Sequence, residues 1–391
     1  MSRAGDTARP LHVLVLTPFF PSDRNEVHGC FIAEPLEHLR QFGIDSSVIA
    51  VSPVHYARKQ SMASAPAEWV RYPQLPGIAG LSSAGRFLYP CLRQKVQKLH
   101  STKPIDLIHA HGALPCGHAA ALLFGRLKIP FVVTVHGLDV FNACTQEGVW
   151  ATWRRKTSAE VYGAARNVIC ISGKVQEIVK TGTPAETRST IIYNAVNPQL
   201  FSSNANEREE SVPQLLMVGN LLPIKGHDLV LRALAKLKRS FPPVQCRIIG
   251  EGPARARFRA LARELGIEQQ VQFAGRQSRE EVAEAMRRCT VFVLPTRYEG
   301  LGCVYLEAMS CGKPAIGCRG QGIDEVIEHG KNGWLIGVDK LEELVEGLSV
   351  LLGSAELRAS IGAAARQTIL GKFTLSRHAQ QLAELYRQAV A

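Results

Sequence analysis

Short apolar, β-branched runs recur along this chain with amphipathic stretches between them, and that alternation leaves little choice of architecture. In the first half the strand-like runs are His12–Leu16, Ser47–Val51, Asp106–His109, Phe131–Val135, Val168–Ile171 and Thr190–Ile192. In the second half they are Gln214–Val218, Gln245–Ile249, Val271–Phe273, Val291–Leu294, Pro314–Ile316 and Trp334–Ile336. Strands joined through helices pair side by side in mainly parallel sheets, so the pattern predicts an α/β fold. At 391 residues the chain exceeds one ordinary core and suits two domains of roughly 150–200 residues. The break is expected at Ser202-Ser-Asn-Ala-Asn-Glu-Arg-Glu-Glu-Ser, which is polar, charged and aperiodic.

Composition narrows the class. A hydrophobic content of 46% is that of a globular protein, and no run of 18 or more apolar residues offers a transmembrane helix. The N-terminus is polar up to Pro10 and lacks a signal core, so a cytoplasmic location is expected. Ten cysteines are scattered without a Cys-x-x-Cys pair, which predicts reduced thiols and no structural metal. The net charge of +12 is uneven, and residues 51–105 hold eight basic residues against the single acid Glu68. Such a patch suits an anionic partner. With no nucleic-acid-binding module in the chain, an anionic membrane surface is the expected one. Leu88, Leu92, Val96 and Leu99 fall on one side of a helical stretch whose other faces carry Arg93, Lys95 and Lys98. Read one way it lies on a bilayer; read the other, it is an ordinary amphipathic helix packed on the sheet.

Chemistry concentrates in Tyr298-Glu-Gly-Leu-Gly-Cys-Val-Tyr-Leu-Glu-Ala-Met-Ser-Cys-Gly-Lys-Pro. A buried strand, Val291–Leu294, precedes it, and a helix is expected from Cys303 to Met309. Glu299 then sits in the strand-to-helix loop and Glu307 one to two turns into the helix. Backbone N–H groups at such a helix start form an anion site, and glycines let a phosphate approach. Gly300, Leu301, Gly302, Cys303 and Val304 are therefore candidate phosphate-contacting residues, with a carboxylate for each end of a nucleotide-sugar.

This segment resembles the Glu-x7-Glu element of retaining glycosyltransferases of family 4. The resemblance implies the GT-B fold: two Rossmann-like domains with parallel sheets facing a central cleft. It also implies a C-terminal helix that returns to the first domain. Domains at 1–201 with 373–391, and at 211–372, are expected on that basis. The tail supports a helix with Ala379, Leu382, Leu385, Tyr386 and Ala389 on one stripe.

A second phosphate-site candidate is Leu216-Met-Val-Gly-Asn-Leu-Leu-Pro-Ile-Lys-Gly-His, a strand, a glycine turn and a lysine before a helix. Lys225 would supply a point charge and Gly219 close backbone approach. Asn220 stands where the resembled family often has a cation, which would place more of the diphosphate charge on Lys225. Gly250 in Ile248-Ile-Gly-Glu-Gly-Pro, and Gly275 with Arg276 in Phe273-Ala-Gly-Arg, end further strands and are expected near the nucleobase.

In the first half Gly29 precedes a helical stretch and could meet the donor phosphate. Thr134-Val-His-Gly-Leu-Asp-Val places His136 at a strand end, resembling the family's histidine that bonds the transferred sugar; Asp139 follows closely. His109 and His111, two apart on one strand face, are weaker acceptor-side candidates. A metal there would need a third ligand that the sequence does not identify.

No Asp-x-Asp pair sits at a strand end. The resemblance then implies a retaining, metal-independent hexosyltransferase with no cofactor. Lys225, Glu299 and His136 would carry the catalytic roles, and Glu307 would hold the ribose. A UDP-sugar is the expected donor, GDP-mannose the second, and a glycan or lipid-diphosphate-linked acceptor receives the sugar. Gln321-Gly-Ile-Asp-Glu, by resemblance, suggests bacterial surface-polysaccharide synthesis. An isomerase of the UDP-sugar 2-epimerase type, and an inactive nucleotide-sugar-binding protein, are the alternatives.

Overall fold

Among the described residues, every ladder between named strands is parallel. The computed structural model describes residues 9–391 other than 24, 57–65, 76, 138, 140–146, 204–211, 239 and 242–243. They fall into two compact units, Met1–Tyr193 with Leu375–Ala391, and Asn194–Thr374.

The first unit holds β1 (Leu11–Thr17), β2 (Ile44–Pro53), β3 (Glu68–Tyr72), β4 (Leu107–His111), β5 (Phe131–Val135), β6 (Asn167–Cys170) and β7 (Ser189–Ile191). Their order across the sheet is β3-β2-β1-β4-β5-β6-β7. The second holds β8 (Gln214–Val218), β9 (Gln245–Ile249), β10 (Val271–Gly275), β11 (Val291–Val293), β12 (Ala315–Cys318) and β13 (Trp334–Ile336), in the order β10-β9-β8-β11-β12-β13. Each sheet is doubly wound. The chain steps outward from β1 or β8, then returns to the centre and continues on the other side. The reversals at β1/β4 and β8/β11 open a crevice at the strands' C-terminal ends, where ligands of such sheets bind. β4, β5, β11 and β12 are buried at every position because helices cover both faces.

The sequence gives no expectation of β3. Only Val70 and Tyr72 of Glu-Trp-Val-Arg-Tyr are buried, since an edge strand turns much of its surface to solvent. The helix Gly77–Thr102 follows. Leu88, Leu92 and Val96 are fully buried, so its apolar stripe serves the core and is not offered to a bilayer. Its exposed face carries Arg86, Arg93, Lys95 and Lys98, and Lys95 pairs with Glu68 of β3. Arg58 and Lys59 of the basic stretch lie outside the described residues.

The helix Leu375–Val390 belongs to the first unit. Ala379, Leu382, Ala383, Leu385 and Tyr386 join Val13, Val15, Phe20, Ile32 and Leu39 in one core cluster. Burying each leucine side chain contributes roughly 1.5–3 kcal/mol. Phe373 and Thr374, expected to begin this helix, stay with the second unit, where Val196 N–H donates to the Phe373 carbonyl at 3.0 Å.

The division between units falls at Tyr193/Asn194, ahead of the polar stretch that suggested it. Phe201 explains the shift. It is fully buried, Ser310 Oγ donates to its carbonyl at 2.7 Å, and the Arg279 guanidinium lies 4.9 Å from its ring centre. Residues 204–211 lie outside the described part.

Candidate functional site

At the β8/β11 reversal the loops Gly219–Gly226 and Leu294–Gly302 are clasped together. Arg297 N–H donates to the Ile224 carbonyl at 2.8 Å. The Arg297 guanidinium reaches the Pro223 carbonyl, both Asp228 carboxylate oxygens at 3.0 and 2.9 Å, and Asp339 at 2.7 Å. Gly226 has φ of 73°, and a Cβ there would stand 2.0 Å from the Pro295 carbonyl oxygen, so only glycine lets the loops abut.

This clasp brings Lys225 Nζ to 2.6 Å from Glu299 Oε2, with the two side chains 15% and 14% exposed. The sequence nominates both residues but not the ion pair. Glu299 is also fixed through its backbone: its N–H donates to Gln321 Oε1 at 3.0 Å, and its carbonyl accepts from Gly322 N–H at 3.1 Å. Gly300 and Leu301 are buried beyond it, and Gly302 in the left-handed region starts the helix Cys303–Ser310. Its N-cap residue is a glycine, with no side chain to cap it. Its N-terminus, including Cys303 and Val304, therefore presents the positive end of the helix dipole beside Glu299.

Glu307 is buried in the same helix, and its Oε1 accepts from Arg279 Nη1 at 2.7 Å. Sequence reasoning missed Arg279. It stands 28 positions away, on the helix Arg279–Arg288, and only the packing of the two helices pairs them. Gly219, Gly250 and Gly275 follow one another across the C-terminal ends of β8, β9 and β10. Gly219 N–H donates to the Ile249 carbonyl, and Gly250 N–H to the Gly275 carbonyl at 2.8 Å. Asn220 and Arg276 are exposed there. The donor-side candidates of this unit thus lie on both sides of the reversal, with Lys225 and Glu299 at its centre. His227, next to Lys225, is buried against Phe258; burial, then Lys225, lowers its pKa to about 4 and keeps it neutral.

In the first unit Gly29, buried and in the left-handed region, starts the helix Cys30–Leu39 against the Phe19–Phe20 backbone. His136 follows β5 directly. Its ring meets Phe31 and Phe19 edge-on, with centres 5.1 and 5.9 Å apart, and stacks on His111. His136 Nε2 shares a hydrogen bond of 3.0 Å with His111 Nδ1, while its Nδ1 has no partner among the described residues. Asp139 Oδ2 lies 3.5 Å from the His136 backbone nitrogen, a long contact. Burial is the largest cause lowering the His136 pKa to about 3, so the imidazole is neutral near pH 7.

His109 does not fit the acceptor-side role expected of it. It is buried, its Nδ1 bonds the Tyr386 hydroxyl at 2.7 Å, and its Nε2 bonds Thr134 Oγ1 at 2.7 Å. Both nitrogens are occupied. Its work is to tie the last helix to β4.

Comparison with known proteins identifies the class. The family model described as glycosyl transferases group 1 matches residues 199–368, and that of glycosyltransferase family 4 matches residues 31–200. An uncharacterized glycosyltransferase of Methanocaldococcus jannaschii is 31% identical over 259 residues, which is 66% of this chain and 68% of the relative. Among solved structures, sucrose-phosphate synthase of Thermosynechococcus elongatus superposes with a TM-score of 0.79 at 19% identity, covering 97% of this chain and 98% of the other. HepE of Anabaena, solved in complex with UDP-glucose, gives 0.74 at 20% identity, with 97% and 100% covered. The fold is GT-B. The chain belongs to family 4 of the glycosyltransferases and is an enzyme of that class.

Proposed function

We propose that the enzyme transfers a hexosyl unit from a nucleoside-diphosphate sugar to a glycan or lipid-linked acceptor, with retention at the anomeric carbon and without a metal. A UDP-sugar is the first candidate donor and GDP-mannose the second, and surface-polysaccharide synthesis is the proposed setting. The observation that carries this reading is the Lys225–Glu299 pair at the β8/β11 reversal, beside a glycine-led helix N-terminus. That arrangement offers positive charge for a diphosphate and a carboxylate for sugar hydroxyls within one loop pair. HepE's complex with UDP-glucose supports the choice of donor.

In this reading Lys225 and the dipole of the helix Cys303–Ser310 stabilise the leaving diphosphate. The bond between the anomeric carbon and the phosphate oxygen breaks, the acceptor oxygen bonds that carbon on the same face, and a diphosphate oxygen takes the acceptor's proton. Glu299 orients the sugar, and Glu307 holds the ribose. His136 is proposed to bond the sugar as a neutral imidazole, because its depressed pKa unsuits it to a charged role near pH 7. Arg86, Arg93 and Lys98 are exposed on one helix and form the proposed seat for an anionic membrane surface.

Donor turnover followed by NMR tests the assignment. The product should keep the donor's anomeric configuration, EDTA should leave the rate unchanged, and Lys225→Ala should lower kcat by about 100-fold or more. Inversion, or abolition by EDTA with rescue by Mn²⁺, would sink the retaining or the metal-free part respectively.

A further inference from the structure

The residue that fixes the Glu299 backbone uses only one end of its amide to do so. Gln321 lies in the turn after β12, pressed so closely on the β11 loop that a Cβ at the neighbouring Gly322 would stand 1.7 Å from the Gly300 carbonyl oxygen. Its Oε1 accepts from Glu299 N–H at 3.0 Å. That bond settles the orientation of the amide, since only its oxygen can meet an N–H. Nε2, with two N–H donors, is the end left over. It makes no hydrogen bond among the described residues, although the side chain is 8% exposed. Glu299 is in a matching state: Oε2 engages Lys225, and Oε1 makes no hydrogen bond among the described residues. One loop therefore carries a spare carboxylate oxygen and, fastened to its backbone, a spare amide donor. A sugar hydroxyl donates one hydrogen bond and accepts others, so it satisfies both kinds of group.

We propose that Gln321 is a donor-sugar specificity residue, its Nε2 donating to the oxygen of a hydroxyl on the hexose that Glu299 orients. This rests on the nucleotide-sugar reading above and adds to it what the site rejects. An amide N–H covered by the bound sugar discriminates, because a sugar lacking that oxygen leaves the donor unpaired. A sugar deoxygenated at the contacted position is thus turned over less efficiently, whereas positions that face away from Gln321 tolerate the loss.

Gln321→Glu separates contact from scaffolding. The variant keeps an oxygen for Glu299 N–H and loses the amide donor. Hydrolysis is measured with whichever of UDP-glucose, UDP-galactose and UDP-N-acetylglucosamine the parent turns over fastest, and with its monodeoxy analogues. The parent should lose about 10-fold in kcat/KM at one deoxy position. Gln321→Glu should lose a similar factor with the full sugar and nothing further with that one analogue, while UDP affinity by calorimetry stays at the parent value. Gln321→Met removes the oxygen as well as the amide donor, and should add to that pattern a further loss shared by every sugar. A uniform loss across all analogues, or parental activity in Gln321→Glu, means that the side chain only positions Glu299 and overturns the proposal. A parent that binds neither UDP nor GDP overturns instead the donor reading on which it rests.

Discussion

Glu307 sits in its helix with a partner already in place, and this changes what its removal does. The Arg279–Glu307 pair is largely buried, the two side chains being 13% and 7% exposed. Deleting one member of such a pair leaves a buried charge uncompensated and costs about 3–5 kcal/mol. Glu307→Ala is therefore expected to lower the urea midpoint as well as nucleotide affinity, so it does not isolate binding. Glu307→Gln keeps the shape and a hydrogen bond to Arg279. It should weaken UDP binding by about 10-fold in calorimetry with a smaller loss of stability. If UDP affinity is unchanged in Glu307→Gln, the ribose assignment fails. Lys225 and Glu299 form the same kind of unit one loop away. Each was legible in the sequence by its position, because a lysine before a helix and a glutamate after a strand are local signals. Their partners were not, because ion pairs between residues 74 and 28 positions apart are made by packing. The tie from Gln321 to the Glu299 backbone was hidden for the same reason.

Among the elements, several strands were read almost to the residue. Phe131–Val135, Gln214–Val218, Gln245–Ile249 and Trp334–Ile336 form as the sequence pattern anticipates. Loops stayed opaque except where glycine marked them. The helix Gly77–Thr102 shows how one amphipathic pattern supports two readings: its leucines would serve a bilayer or a sheet equally, and burial decides for the sheet. The two faces should therefore answer differently to mutation. Leu92→Ala is expected to cost about 2–5 kcal/mol in chemical denaturation. Changing Arg86, Arg93, Lys95 and Lys98 together to glutamine should leave stability within about 1 kcal/mol, because surface charges contribute little. If the exposed basic face seats the enzyme on lipid, the same variant should bind anionic vesicles more weakly at low salt, and the parent's binding should fade toward ~0.5 M salt as screening sets in. Equal flotation of parent and variant would remove the membrane from the account.

For the molecule as a whole, acid should act first through buried histidines of the first unit. His109 and His136 have pKa values lowered from 6.5 to about 3, with burial as the largest cause in each. The unfolded chain then binds more protons than the fold below pH 6.5. Stability from keeping these rings neutral is complete above pH 6.5 and drains away as pH falls toward 3, at roughly 1.4 kcal/mol per pH unit for each histidine. Melting followed by circular dichroism from pH 7 to pH 4.5 should show this decline, and His109→Gln should make it shallower. A profile that is flat down to pH 4.5 would mean that these rings are solvated.

The last helix also sets an order of birth. Residues 375–391 close a core whose other members run from Val13 to Ile192, and the whole of the second unit is translated in between. Domains made on the ribosome usually finish in the order in which they emerge, yet here the later unit completes first. The earlier one is expected to keep Val13, Phe20 and Leu39 uncovered until residues 375–391 emerge. Nascent chains stalled at Thr374 should accordingly yield a protease-resistant second unit and a first unit that is still digested. On that order, the half of the enzyme synthesised first is the half whose core stays open longest.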